Sequence, residues 1–564
     1  MKYYNYIIFI FIALGMASCT KDFLEINTDP NAITQDEASA RYFITDPQYK
    51  LYSPDRYPYW RAHLIYTDRY AGHFTFGFNG SWWSDELGYS YHSAYTDAAW
   101  GWMSGYFGSI DNFLGLTEPG GDFENDLMHA VGMIIQGLYY QMYTDFFGEI
   151  PFSEAGVEGI VTPKYDTQLE IYTGIIEDLD NAMSTIGDNA KTGEGIDDLG
   201  VNDLYFGGDL QLWKKLANSL KLRIALRAYG AEGATFADAA ITEALNAGLF
   251  LAEGEDCIMV KDDIISQWES GAYGDIWYGF GGQGSKWTVG QNLIDNLRNN
   301  NDPRLPFYAE PADGGVFDLV RPAADPGRSQ FPKHVDFVTQ VLTDAGVAYT
   351  RTDVGADLVT IDMPVAAYYV GQPTRMGGDV YSYIRPEFFS MPAPEIFAEK
   401  NSGTNMWDEI ILTAAEAYFL QAEATLLGFG GGDAQALYQS GISNAMSLWG
   451  VSDADISTFI VAEDMALLNG TQEQNMEKVS IQRWLACYTD GFEAWAIARK
   501  SGYPSNLTTT LTDPEIYGLG DIDGRYPERM RYGSNLQTMD PENYQIVIGR
   551  QGPDRQDTKL WWAK

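Results

Sequence analysis

The chain has 564 residues, with 78 Asp or Glu against 36 Lys or Arg and a formal net charge of -42. A nucleic-acid binder needs a basic footprint to displace counterions, so this balance excludes one, and no local basic patch opposes it. Hydrophobic residues at 45% and charged residues at 20% exclude a disordered or collagen-like chain, while 15 Trp, 37 Tyr and 28 Phe are more rings than a core needs.

The apolar run Ile7 to Leu14 follows Met1-Lys2 and leads to Gly15-Met16-Ala17-Ser18-Cys19. It is well short of the roughly 20 residues a spanning helix needs, so residues 1–18 read as a signal peptide. Ala17-Ser18-Cys19 has the form of a bacterial lipobox, with Met16 where Leu is usual, which makes Cys19 the lipid-attachment residue. The other reading is a plain secreted protein in which Cys19 merely follows the cleavage site. Several acyl chains, at about 0.8 kcal/mol per buried methylene, hold a protein on a membrane without crossing it. No later segment reads as a span, because runs such as Val131 to Tyr143 are interrupted by Gly, Gln and Tyr.

At roughly 150 residues per domain the length admits about four units or one large intertwined body. Apolar residues return every three or four positions over Asn125 to Asp145, with Gly148 as the stop, then over Gln168 to Met183, Leu210 to Tyr229 and Thr235 to Ala247. From about 250 to 400, Gly, Pro, Asp and aromatic residues surround short apolar runs, Cys257 to Val260 and Leu358 to Met363, which predicts loops and short strands. Helical pattern resumes over Asp408 to Leu427, 434–449 and 473–500 before a Gly/Pro/Asp-rich tail. Alanines at 414, 415, 417, 422 and 424 permit close helix pairing of the tetratricopeptide kind; an ordinary helical bundle is the alternative.

With Cys19 assigned to lipid, Cys257 and Cys487 remain. Cys487 lies in an apolar helical pattern, which favours two buried thiols over a bridge. No CxxC occurs, and histidines 63, 73, 92, 129 and 334 form no HExxH pair, so no metal site is assigned.

Together these features resemble the SusD/RagB family of Bacteroidetes outer-membrane lipoproteins. The residues that carry the likeness run from end to end: Asp22 to Asn31 after the lipobox, Tyr143 to Phe152 with its D-x-x-G-x-x-P wording, and Trp213 to Arg223. They continue through Asn301-Asp302-Pro303-Arg304, Ala415-Glu416-Ala417-Tyr418, Ile481-Gln482-Arg483-Trp484, Gly491 to Trp495 and Arg499 to Pro504. The Gly491 to Tyr503 wording leans toward the SusD-like branch. The resemblance implies one mostly α-helical body over residues 19–564, with four tetratricopeptide-like helix pairs and a large irregular, loop-rich ligand face. On the residues, the scaffold falls at about 125–248 and 408–500, and the irregular segments at about 60–105 and 250–400. It also implies a SusC-like TonB-dependent transporter as partner, on which the protein sits as a lid at the outer surface. Its ligand is then an oligosaccharide or, as in RagB-like members, a peptide.

The residues themselves offer little catalysis. No G-x-S-x-G or G-x4-GK[ST] sequence occurs, and Gly279 to Gly284 fits G-x-G-x-x-G without opening an obvious helix, so no cofactor is assigned. A glycoside hydrolase needs two carboxylates about 5 to 9.5 Å apart, which 78 acidic residues would supply by chance. Asp521-Ile522-Asp523-Gly524 has part of a calcium-loop wording but lacks the closing glutamate, and reads as a solvated acidic turn.

Two aromatic clusters lie outside helical periodicity. One spans Phe74 to Trp102 and includes Asn79, Trp82, Trp83 and Tyr89; the other holds Tyr273, Trp277, Tyr278 and Trp287 among seven glycines from Gly271 to Gly290. Sugar rings present apolar C-H faces and hydroxyl edges, so a glycan binder needs flat rings with amides or charged groups beside them. Glycine also lets a loop backbone approach a ligand. These eight residues are the expected glycan contacts, with the two clusters meeting on one face. The competing expectation is that such rings form satellite cores under long loops, as Trp100 and Trp102 do if they belong to the apolar helix that follows them.

Overall fold

The computed structural model describes residues 38–75, 89–261, 265, 271–279, 287–323, 330–377, 379–399, 402–430 and 432–564. Cys19, Asn79, Trp82 and Trp83 lie outside them. With single-turn helices left unlabelled, the helices are α1 (Thr45–Tyr52), α2 (Ser93–Thr117), α3 (Asp126–Phe147), α4 (Gln168–Ile186), α5 (Leu210–Ala228) and α6 (Ala237–Ala247). They continue with α7 (Tyr273–Gly279), α8 (Gln291–Asn299), α9 (Gln330–Asp344), α10 (Ala414–Leu426) and α11 (Ala434–Leu448). The last are α12 (Asp453–Ala462), α13 (Gln472–Ala486), α14 (Gly491–Ser501) and α15 (Pro541–Gln551). The strands are β1 (Phe74–Thr75), β2 (Cys257–Met259), β3 (Thr288–Val289), β4 (Gly315–Val320), β5 (Thr350–Gly355), β6 (Leu358–Met363) and β7 (Glu409–Leu412).

The scaffold helices start where the sequence supplies caps. The Asn125 side chain accepts from Leu127 and Met128 N-H at α3, and Thr167 with Glu170 forms a capping box at α4. α3 packs on α4, α5 on α6, α10 on α11 and α13 on α14, with α4 against α5 and α10 against α13. These four pairs are the tetratricopeptide-like scaffold, and the fold is mostly α-helical. Cys257 and Cys487 are free, buried thiols, as expected. Among the described residues no helix is long and apolar enough to cross a membrane.

Several boundaries differ from the sequence reading. The single helix expected over 408–427 is β7 followed by α10, because Glu409-Ile410-Ile411-Leu412 pairs antiparallel with β2 as a fully buried strand and Thr413 then caps the helix. The helix expected over 473–500 is broken at Cys487 to Asp490, where Thr489 has φ 76, and Asp490 caps α14. The middle segment does carry short strands at Cys257–Met259 and Leu358–Met363, but it also carries α8 and α9. α9 covers the β4-β6-β5 sheet, and Phe331, Val335, Val338 and Leu342 meet Leu319, Val359, Ile361 and Met363 in a core of their own. The segment 60–105, expected to be irregular, is mostly helical where described: a π-helix at Tyr59–Thr67, one short turn, β1, and the first half of α2.

A buried ion network joins the scaffold. Arg223 and Arg227 of α5 meet Glu416 of α10, Asp145 of α3 and Glu493 of α14. Arg483 of α13 closes the set, reaching Glu416 at 3.0 Å, Glu423 at 3.4 Å and Glu493 at 2.6 Å. Arg499 donates to the Asp145 carbonyl at 2.7 Å and the Glu528 carbonyl at 2.9 Å, with its guanidinium 3.6 Å from the Trp495 ring centroid. Burial alone would raise the Glu493 carboxyl, but Arg227, Arg223 and Arg483 outweigh it and hold it at about 2. Removing one partner of such a set leaves a charge uncompensated in low dielectric. Glu493→Ala is therefore expected to cost about 3 to 5 kcal/mol, read as a lowered midpoint in urea unfolding.

Candidate functional site

The two aromatic clusters share a root. β1 pairs with β3, Phe74 opposite Val289 and Thr75 opposite Thr288, and the two threonine hydroxyls lie 2.6 Å apart. Around this pairing the rings form one layer. Phe74 lies 5.6 Å from Tyr273 and 6.2 Å from Trp287, while Trp287 lies 5.8 Å from Tyr273 and 5.6 Å from Trp277. Trp277 stacks on Phe397 at 4.6 Å with 14° between the planes.

α7 is wedged between two other backbone segments, which is what its glycines are for. A Cβ at Gly271 would sit 2.0 Å from the Pro54 carbonyl oxygen, and one at Gly274 would sit 2.2 Å from the Ala398 carbonyl oxygen. The exposed rings these segments offer are Tyr278, 46% exposed, and Tyr57, 56% exposed, with Phe397 partly covered. Beside Tyr57, the Arg61 guanidinium lies 4.9 Å from the Tyr57 ring, 5.2 Å from Trp60 and 5.1 Å from Tyr95.

Four of the expected contact residues are placed inside the body. Tyr273, Trp277, Trp287 and Tyr89 are at most 4% exposed and offer no free face to a ligand. The first three are buried because the Gly-bearing backbone closes over them and they satisfy one another edge to face. Tyr89 is held between the guanidinium groups of Arg69, 4.9 Å away, and Arg375, 4.2 Å away. These rings join the main hydrophobic core of the scaffold rather than a satellite core of their own, and Tyr278 alone among the described candidates reaches solvent. Trp102 stacks on His63 at 5.5 Å, and Trp100 packs on Tyr143, Phe147 and Tyr532. The sequence reading missed Tyr57, Arg61 and Phe397. Its usable signal was Asp55-Arg56-Tyr57-Pro58-Tyr59-Trp60-Arg61, where rings alternate with cations just before the first cluster.

Beneath the rings lies a polar layer whose groups are occupied. Tyr59 donates to Glu409 at 2.7 Å, and Lys261 pairs with Glu409 and donates to the Gly271 carbonyl at 2.9 Å. Burial pushes the Asp68 carboxyl up to about 8. The Tyr273 hydroxyl lies within donating reach of both the Asp68 carboxyl and the Thr489 carbonyl, each 3.1 Å away. Burial also pushes His63 well below its usual range, helped by Lys261, and brings His73, packed against Trp484 and Tyr488, down to about 3. Such carboxyls and imidazoles sit under the surface, out of a ligand's reach. Among the described residues, what the face presents is ring surface with the Arg61 guanidinium beside it.

Among the described residues no group of three His, Cys, Asp or Glu is placed to hold a metal ion. The Asp521 to Gly524 turn is solvated, as expected: Asp521 and Asp523 are both exposed, Asp521 accepting from Tyr91 N-H at 2.6 Å and Asp523 pairing with the half-exposed Arg525 at 3.2 Å. Gly279 ends α7, and the rest of the Gly279 to Gly284 sequence lies outside the described residues.

Two stability outcomes follow from this placement. Trp287→Ala should cost about 3 to 5 kcal/mol, as a core cavity does, whereas Tyr278→Ala should stay within about 0.5 kcal/mol of the parent in urea unfolding. The folded pKa of His73 is depressed, so below about 6.5 the unfolded chain takes up a proton that the folded chain refuses. That stability is fully present above about 6.5 and falls by about 1.4 kcal/mol per pH unit down to about pH 3. Unfolding free energy of His73→Phe measured against pH should lack this one-proton slope.

Comparison with known proteins matches residues 30–318 and 368–533 to the SusD-like family described as starch-binding and associating with the outer membrane. A solved chitin-binding protein superposes with a TM-score of 0.70 at 24% identity, over 93% of this chain and 100% of that one. A SusD homolog from Bacteroides uniformis superposes with a TM-score of 0.71 at 21% identity, over 93% of this chain and 99% of that one. A SusD-like protein from Bacteroides thetaiotaomicron gives 0.67 at 22% identity, over 93% and 98%. No curated protein matches the chain significantly. With four tetratricopeptide-like helix pairs, an aromatic layer at the β1-β3 pairing, and a match over most of its length, the chain belongs to the SusD-like family.

Proposed function

We propose that this protein is a lipid-anchored outer-membrane glycan binder that captures oligosaccharide at the cell surface and passes it to a SusC-like TonB-dependent transporter, with no catalytic step. The observation that carries the binding role is the exposed Tyr278 ring, the last residue but one of a helix whose neighbouring Trp277 is stacked on Phe397. A ring on so rigid a base gives contact area to a sugar face at low conformational cost. Tyr57 and Arg61 extend the surface, and Asn79, Trp82 and Trp83 are the proposed contacts from the segment that enters at Thr75. Tyr273, Trp277 and Trp287 act as the floor.

Supporting the ligand class are the family's starch-binding description and the chitin-binding relative. Cys19 in its lipobox supports the anchor, and the SusD-like family supports the transporter partner. A peptide in place of a glycan would fit the same architecture, and the binding test separates them. Titration calorimetry against starch- and chitin-derived oligosaccharides and a peptide mixture should show saccharide binding only. The double variant Tyr57→Ala, Tyr278→Ala should weaken it by roughly tenfold or more, equivalent to about 1.4 kcal/mol. Unchanged saccharide affinity in that variant, or binding of peptide alone, would contradict the assignment.

A further inference from the structure

We infer that the C-terminal segment builds a second saccharide site, separate from the Tyr278 face, in the cavity between the start of α4 and Trp561. This cavity of about 260 Å³ is lined by Glu149, Arg550, Glu232, Lys564 and Trp561 among others. Its indole wall is fixed: Trp561 donates through Nε1 to the Glu232 carbonyl at 2.7 Å, receives Tyr172 edge-on at 5.7 Å, and its backbone N-H donates to Gln168 at 2.9 Å. The next residue, Trp562, is buried and donates to Asp145 of the ion network at 2.9 Å, so the wall is tied to the most rigid part of the scaffold.

Opposite chemistry is equally fixed. Arg550 donates to Glu149 at 2.8 Å and to the Tyr165 carbonyl at 2.7 Å, which orients a side chain that remains 40% exposed. Burial raises the Glu149 carboxyl to about 7 despite that partner, so near neutral pH it can both accept and donate. Glu232 and Lys564 in the lining carry one charge of each sign. A neutral polyhydroxyl ligand suits such a balanced lining better than an ion does: its C-H face lies on the indole, and its hydroxyls meet a donor in Arg550 and a two-way partner in Glu149. The volume is at the small end for a ligand pocket and suits one or two sugar units, the end of a longer chain. Arg550, Trp561 and Lys564 all lie beyond residue 533, where the family match stops, while Glu149 and Glu232 lie within it.

The test uses the full mature chain labelled with 5-fluorotryptophan, the Trp561 fluorine resonance being identified by its absence in Trp561→Phe. Titration with maltotriose and, separately, with diacetylchitobiose should move that resonance saturably with at least one of the two. The shift should persist in Tyr278→Ala, which removes the proposed principal contact, and should need roughly tenfold more sugar in Arg550→Ala, the loss of about one charge-assisted hydrogen bond. A Trp561 resonance that stays still with both sugars overturns the inference, as does a shift that disappears in Tyr278→Ala. Persistence in that variant supports the second site whatever becomes of the first.

Discussion

Four buried arginines, three buried carboxylates and the partly exposed Glu423 are brought together where the scaffold helices meet. Each charge costs several kcal/mol to desolvate, and only complete pairing offsets that cost. Arg223 and Arg227 come from α5, Arg483 from α13, Arg499 from α14, and their partners Asp145, Glu416, Glu423 and Glu493 from α3, α10 and α14. Five helices spanning more than 350 residues of sequence are thereby set in one register. A slip of one helix by one position would strand a charge in low dielectric. Trp562 seals the set from the C-terminus, its indole 4.9 Å from Arg499 and its N-H on Asp145.

The same constraint reaches the proposed ligand face through one irregular joint. α13 and α14 cannot run on as a single helix because Arg483 and Glu493 must both point into the network, and the chain turns between them at Thr489 with positive φ. That turn presents the Thr489 carbonyl to Tyr273 at 3.1 Å and its hydroxyl to Trp407 at 2.9 Å. On α13 itself, Trp484 donates to the Ala71 carbonyl at 2.8 Å and packs against His73, just ahead of β1. The aromatic layer is thus pinned from below, and the face above it inherits a rigid floor.

This explains what the sequence could and could not disclose. Helix pairs were legible because their apolar periodicity is local, and the family likeness was legible because its motifs are the network: Asp145, Arg223, Glu416, Arg483, Glu493 and Arg499 each stand in one of them. Motifs selected by scaffold electrostatics carry no information about ligand. The break at Thr489 and the strand Glu409–Leu412 were illegible, since each depends on a partner far along the chain. Aromatic clustering pointed to the segments that form β1, β3 and α7. It did not distinguish floor from surface, because Trp277 and Tyr278 are neighbours in sequence and differ only in which side of a short helix they occupy. Of the glycines near those rings, Gly271 and Gly274 admit the Pro54 and Ala398 backbone.

If the face is a glycan platform on a fixed floor, binding should leave the floor where it is. The most direct measurement is a crystal structure of this chain with a starch- or chitin-derived oligosaccharide bound. A sugar ring should lie against Tyr278, with the Trp277-Phe397 stack and Trp287 unmoved. An occupied structure in which Tyr278 remains in solvent, or in which Trp277 and Trp287 swing out to make the contacts, would contradict the account.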